Sequence, residues 1–533
     1  MHRDTRELAN RLSRGIIDRR RFVMTAIAMG LAVPAAMALA DRAVAATPKK
    51  GGRLRLASTG ASTTDTLDPA LILDIYMNLV SFGQLRNCLT EIAPDGSLIP
   101  ELAESWEASP DAKAWTFKLR KGVEFHNAKS LAAEDVAASL NHHRGEESKS
   151  AAKDIIKSVT DIKAGDGEVI VTLAEGNADF PYLMSDPHLG ICPAKAEGGI
   201  DWASGTGTGG YVLDSFNPGV RTFTKRNPNY WKEGRAHFDE VETLFVADVT
   251  ARTNALIAGE IDAMNKADLK TVDRLKESPD VTVLVGPSSQ HVSLPMIASA
   301  PPFDNNDVRL ALKYAIDREE WLNKIMRGYG SLGNDHPIGP ANRYRATAEE
   351  IPQRPYDLDK AKFHLKKAGL DSLNVQFHVA DTAFAGAIDG GLLYQQQAKG
   401  AGINIDVVRM PDDGYWSDVW LIKPWCASFW AGRPTEDWMF TQVYSSGASW
   451  NESKWKHEKF NALLVAARAE LEETKRRGMY VDMQRILHDE GSTVIPLFAS
   501  YVQAVSNKIQ LPETVATNLE LDGGRCAERW SFT

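Results

Sequence analysis

Residues 96 to 140 read GSLIPELAESWEASPDAKAWTFKLRKGVEFHNAKSLAAEDVAASL. From Trp115 to Arg120 the run WTFKLR alternates large apolar and polar side chains, the period of a half-buried strand. Lys121 and Gly122 supply the turn that ends it, and Ala132 to Asp135 opens a capped helix. A strand followed directly by a helix predicts a mixed architecture, and the flanking sequence repeats the theme. Upstream, Arg53 to Leu56 alternates and runs into Ser58 to Asp68, a Ser/Thr/Asp/Gly stretch that reads as loop. Downstream, Gly165-Asp166-Gly167 marks a tight hairpin before a third alternation, Val169 to Leu173. Between Asp304 and Arg327, Val308, Ala311, Leu312 and Ala315 fall at helical spacing and predict one capped amphipathic helix. Tyr480, Met483, Ile486 and Leu487 repeat that spacing, Gly491 stops the helix, and Val494 to Phe498 returns as a strand. The fold class is α/β, without internal repeats.

The N-terminus reads as a targeting segment. Arg19-Arg20-Arg21-Phe22 precedes an uncharged run from Val23 to Ala40, and Ala43-Val44-Ala45 follows as a small-x-small cleavage pattern. Paired arginines with Phe two places on form the twin-arginine export signature, so residues 1–45 are expected to be a signal peptide. The run's low hydrophobicity argues against a membrane anchor. Setting aside that segment's eight arginines and four acids reduces 61 basic and 70 acidic residues to 53 and 66, a net of −13. An acidic chain lacks the basic field that nucleic acid or an anionic membrane surface requires of a main partner. The remaining length exceeds what one core serves, so two or three lobes are expected.

Cys88, Cys192, Cys426 and Cys526 lie far apart, without metal-ligand spacing. Export permits one or two disulfides, while free buried thiols fit a chain this large equally well. Gly205 to Gly210 spells G-x-G-x-x-G but precedes a strand-like Tyr211, the reverse of the order a dinucleotide site needs, so it reads as a structural turn. His142 and His143 point about 100° apart on a helix and read as a solvated helix end. No nucleophile elbow, zincin or P-loop motif occurs, and no catalytic residue is assigned.

Several segments together resemble a known family. Gly96 to Leu140, Gly205 to Trp231, Pro301 to Leu322 and the closing helix with Val494 to Phe498 resemble extracellular solute-binding proteins of the peptide and nickel type (family 5), receptors for ABC importers. The resemblance implies a two-lobed periplasmic binding protein with an extra domain inserted in the first lobe. By motif position, lobe I comprises 46–85, 213–292 and 497–533, the inserted domain 86–212, and lobe II 293–496. Hinge crossings then fall near Ser293 to Ser299 and Val494 to Leu497. The implied protein is a periplasmic monomer and not an enzyme. It takes a small-molecule or short-peptide ligand, needs no cofactor, and works with an inner-membrane ABC permease. An exported hydrolase on the same scaffold and a nickel-type metal-chelate binder are the alternatives.

Aromatic residues crowd the stretch from Tyr415 to Trp455. At strand spacing Cys426, Ser428 and Trp430 share a face, and Trp430 reads as either a cleft wall or a core residue. In the family's peptide-binding members this place holds a tryptophan, two small residues and an aspartate that binds the peptide's ammonium. Here it reads Trp430, Ala431, Gly432, Arg433. A cation there repels an ammonium, while its planar fork suits carboxylate, phosphate or sulfonate. The competing reading pairs Arg433 with Glu436 or Asp437 across Pro434. Thr63 and Asp65, in the loop after the first strand, and Trp450 and Asn451, in SSGASWNES, complete the predicted ligand-binding set.

Overall fold

The computed structural model describes residues 48–153 and 155–533 and, near the N-terminus, Leu8, residues 19–29, Leu31, Ala36 and Met37. The twin-arginine motif opens a helix, Arg19–Ala28. The cleavage pattern and most of the uncharged run after Ala28 lie outside the described residues. Among the described residues no helix is long and apolar enough to cross a membrane.

A ten-stranded mixed sheet forms the backbone of the molecule. The strand Arg53–Ser58 runs parallel to Glu240–Phe245 on one side and Ala263–Met264 on the other. Leu54 and Leu56 point into a core that also holds Val241, Ala263, Val505 and Trp530. The alternation read from Arg53 therefore translates directly into one buried row.

The stretch quoted at the outset builds a separate four-stranded antiparallel sheet. Ala114–Leu119 lies between Ala103–Ala108 and Glu168–Leu173, with Val159–Ala164 at the edge. Trp115, Phe117 and Leu119 enter one core with Val169, Val171 and Leu173, and the helix Ala133–His142 adds Val136 and Leu140. A buried ion cluster joins this unit to the main sheet's C-terminal segment. Lys232 Nζ lies 2.6 Å from both Glu91 and Glu101 and 3.1 Å from Glu528, while Arg525 reaches Glu101 and Arg529 reaches Glu91. With every charge matched by an opposite one, the cluster compensates its own desolvation, and loss of one member would leave a buried charge exposed to the low-dielectric interior.

The third core gathers Val292, Leu312, Trp321, Phe377, Tyr394 and Trp425 around the parallel pair Leu373–Val379 and Ile403–Arg409. The two segments predicted to cross between lobes pair with each other. The long strand Val281–Pro295 runs antiparallel to Leu497–Ser506, is irregular between Pro287 and His291, and then sets Leu294 opposite Val494. Pro496, which has no N–H to donate, separates Thr493–Val494 from Leu497–Ser506, so the strand expected from Val494 to Phe498 is split in two.

Other expectations are corrected in detail. The helix expected from Asp304 to Arg327 is two helices, Asn306–Tyr314 and Arg318–Lys324. Asp317 takes an extended conformation between them and accepts from the Glu320 N–H, so its carboxylate caps the second helix instead of continuing the first. The solvated reading fails for His143, which is buried against Ser150 Oγ, while His142 is partly exposed and lies 2.8 Å from Asp68. All four cysteines are free and buried. In the Gly205 to Gly210 turn, a Cβ on Gly207 or Gly209 would collide with the Leu85 or Gln84 carbonyl, which gives those glycines a packing reason.

Candidate functional site

Segment 428–430 is a short edge strand whose residues Ser428, Phe429 and Trp430 pair with Ser293, Val292 and His291. As expected from their spacing, Ser428 and Trp430 turn inward while Phe429 is exposed. The strand end places Trp430 against Trp420 (6.1 Å between ring centroids) and Trp450 (5.8 Å), and Trp416 extends the series through Trp420 at 6.0 Å. Trp430 itself is buried, but Trp450 is 44% exposed and Trp416 is 40% exposed. Trp430 is thus the buried member of an aromatic cluster whose Trp450 and Trp416 are partly exposed.

Arg433 sits beside this cluster. Its Cζ lies 5.7 Å from the ring centroids of both Trp430 and Trp438. Nε donates to Gln442 Oε1 at 2.7 Å, and Nη1 donates to the Ala431 and Gly432 carbonyls. The predicted pairing with Glu436 or Asp437 does not occur. Glu436 is buried and accepts from the Tyr344 N–H at 2.7 Å, while Asp437 pairs with Arg468 at 3.0 Å. Both acids lie in the first turn of the helix Glu436–Met439 and are engaged with these partners. Burial lowers the Arg433 pKa, an effect partly opposed by Asp186. Among the described residues its hydrogen bonds all go to neutral acceptors, and none comes from Nη2.

A carboxyl group supports the tryptophan cluster from behind. Glu452 is buried, accepts from Trp420 Nε1 at 2.8 Å and from Ser293 Oγ at 2.9 Å, and burial raises its pKa. It therefore links Trp420 to the long strand Val281–Pro295. Sequence reasoning missed Glu452 and Gln442, since an acid in a polar loop and an amide in a helix carry no periodic signal.

The other predicted residues divide. Trp450 is a partly exposed member of the tryptophan cluster. Asn451 is buried, and its Nδ2 donates to the Ser445 and Trp455 carbonyls, so its amide is committed to bracing its own loop. Thr63 and Asp65 lie in a different loop, packed on the hairpin turn at Gly219, where an added Cβ would come within 2.7 Å of Thr63 N. Asp65 accepts from the Ser62 N–H, and burial raises its pKa. Among the described residues, no hydrogen bond, ion pair or ring contact joins Thr63 or Asp65 to the Trp430 and Arg433 cluster.

A second set of contacts brings the four-stranded unit against this side of the molecule. Asp179 pairs with Arg343 at 2.8 Å and Arg476 at 3.4 Å, and Arg343 stacks between Tyr182 and Tyr344.

The mixed α/β fold is that of two-lobed periplasmic binding proteins. The chain belongs to the bacterial extracellular solute-binding proteins, family 5, whose model matches residues 97–452, and it is a substrate-binding protein of the kind that serves ABC importers. It is 30% identical over 330 residues to "Heme-binding protein A" of Haemophilus influenzae, covering 56% of this chain and 59% of that protein. It is 25% identical over 519 residues to "Periplasmic oligopeptide-binding protein OppA" of Escherichia coli, covering 90% of this chain and 91% of that one. Among solved structures, HbpA2 from Haemophilus parasuis aligns over 90% of this chain and 100% of its own, with a TM-score of 0.79 at 20% identity.

Proposed function

We propose that the protein is a periplasmic receptor that captures one small anionic or peptide-like solute per chain, closes on it by hinge rotation, and delivers it to an inner-membrane permease without altering it. The observation that carries this reading is Arg433, a half-buried guanidinium that forms no ion pair among the described residues, beside a partly exposed tryptophan cluster. A desolvated cation of this kind attracts an anionic group strongly and repels the ammonium that an aspartate in the same place would hold. The tryptophan cluster suits a ligand with a flat or apolar face.

Lobe I is assigned to 46–85, 213–292 and 497–533, the inserted domain to 86–212, and lobe II to 293–496. In that scheme the buried ion cluster fixes the inserted domain to lobe I, and the Asp179 contacts with Arg343 and Arg476 belong to the closed state. Closure then depends on a ligand that favours the closed form over the open one. Trp430, Arg433 and Trp450 are assigned to the ligand. Thr63 and Asp65 face it from lobe I, while Asn451 supports the loop.

Mass spectrometry of small molecules released from protein purified out of its native host tests the reading. An intact solute bearing a carboxylate, phosphate or sulfonate is expected; a cleaved product would favour the hydrolase reading instead. The leader is assigned to the twin-arginine route. Replacing Arg19 and Arg20 with Lys should leave the precursor in the cytoplasm, and normal export of the double variant would refute the route.

A further inference from the structure

Three strands meet in register where the lobes cross. Trp430 lies opposite His291, and His291 lies opposite Phe498. Directly opposed residues share a face of a sheet, so Trp430, His291 and Phe498 form one cross-strand row. The His291 and Phe498 rings are 5.7 Å apart. Each end of the row carries a cation: Arg433 over Trp430 at 5.7 Å, and Arg345 over Phe498 at 5.4 Å.

Arg345 is weakly held. Its single hydrogen bond, Nη2 to the Leu332 carbonyl, is 3.5 Å long, and no carboxylate lies within ion-pair distance among the described residues. Structural arginines elsewhere in the chain are satisfied even without an acid. Arg252 gives three bonds to the Val246, Ala247 and Lys266 carbonyls, and Arg309 bonds Phe303 O, Asn306 and Glu490 O. Arg345 has donors to spare in a half-buried position, where burial lowers its pKa.

The middle of the row offers no counter-charge. His291 Nδ1 lies 3.1 Å from the Ser289 carbonyl and so donates to it, which leaves Nε2 as an acceptor with no partner. Burial lowers the His291 pKa to about 4, so the ring is neutral at physiological pH. Ser289 Oγ is buried and unpartnered as well. The Gly339 and Gly432 backbones approach this patch closely, since a Cβ on either would press on Ser289, and one on Gly339 would also strike the Phe498 ring. The result is a buried strip of rings with a cation at each end and unpaired polar atoms between; Glu452 behind Trp430 and Asp186 on the Arg433 side are the acids nearest it, and among the described residues neither forms an ion pair with Arg433 or Arg345.

We infer that Arg345 is a second anion-binding residue, and that the solute carries two acidic groups held at opposite ends of the Trp430–His291–Phe498 row. This deepens the proposed function, because it rests on Arg433 holding the first group. The row crosses two strand spacings, so the two acids stand on the order of 10 Å apart. A solute with one charge would leave Arg345 half-buried and uncompensated, at the cost that unpaired buried donors carry.

The test uses suberate, a flexible dicarboxylate of about that length, and its monomethyl ester, each added in excess to the full mature chain. Melting temperature is read for wild type, Arg433→Ala, Arg345→Ala and Arg345→Gln, with the urea midpoint of each probe-free variant as the folding control. In wild type, suberate should raise the melting temperature through binding at least tenfold tighter than the ester. Both Arg345 variants should reduce suberate to the ester's level, and Arg433→Ala should do the same, since each change leaves one cation for one acid. Suberate and ester acting equally on wild type, no shift from either, or a suberate preference that survives in both Arg345 variants would overturn the second site. A suberate preference over the ester that survives in Arg433→Ala would instead refute the Arg433 reading beneath it.

Discussion

Arg433 concentrates the chemistry of the site in one side chain. If its guanidinium meets an anionic group in a closed cleft, Arg433→Ala should weaken binding of the solute recovered from the protein by about 2 to 5 kcal/mol. Arg433→Lys should also weaken it, since an ammonium cannot reproduce a two-pronged contact. Calorimetry on both variants checks this, and affinity within twofold of wild type in the alanine variant would remove the anion. The cation itself was legible, because Trp430 and Arg433 are fixed three residues apart by a strand end and a turn. Its partner Gln442 was not, since that contact depends on how the irregular segment after Met439 folds back. The acids beside it behave differently from the sequence reading. Burial raises the Glu436 pKa to about 7, with Asp179 adding repulsion. Its folded value lies above the ordinary carboxylate value, so the stability it contributes is complete below about pH 4.5 and is lost as pH rises toward 7. At about 1.4 kcal/mol per unit, wild type should lose about 2 to 3 kcal/mol more between pH 5 and 8 than Glu436→Gln. Urea unfolding at the two pH values measures the difference; equal losses would contradict it.

At the scale of elements, the loop from Ser445 to Trp455 shows how neighbouring residues divide their work. Trp450 is the partly exposed edge of the tryptophan cluster and Asn451 holds the loop's carbonyls from within. Trp450→Ala should therefore reduce ligand affinity with little change in melting temperature. Asn451→Ala should destabilise the fold by about 1 to 3 kcal/mol, because two buried carbonyls lose their donor. Affinity titrations with melting curves on both variants separate the roles, and the reverse pattern would contradict them. The sequence could place both in a cleft-edge loop but not divide them, since which side chain turns inward is set by turn geometry rather than periodicity. The same limit explains the split helix before Arg327. The apolar spacing continues through Ala315, and only the extended backbone at Asp317 reveals that its carboxylate serves the next helix. Where alternation was strict, as from Trp115 to Leu119, strand and buried face were both readable.

For the whole molecule, the sequence pattern conveyed the family and the fold class, while the contacts between distant segments are long-range and left no local trace. Lys232 gathers acids from Glu91, Glu101 and Glu528, which lie 141, 131 and 296 residues from it in sequence. Asp179 reaches Arg343 and Arg476 across comparable separations. In the proposed scheme the first set welds the inserted domain to lobe I and the second clasps it to lobe II only when the cleft is shut. Asp179→Asn removes the clasp's charge without touching the tryptophan cluster, so it should lower solute affinity severalfold through the closure equilibrium alone. Unchanged affinity in that variant would mean the contact does not respond to closure.

Small-angle X-ray scattering of the mature chain, with and without saturating solute recovered from the protein, addresses hinge closure most directly. The radius of gyration should fall on binding, and the ligand-bound curve should match one calculated from the structure described here, with Asp179 seated between its arginines. Tight binding with an unchanged radius of gyration would contradict a receptor that works by closing.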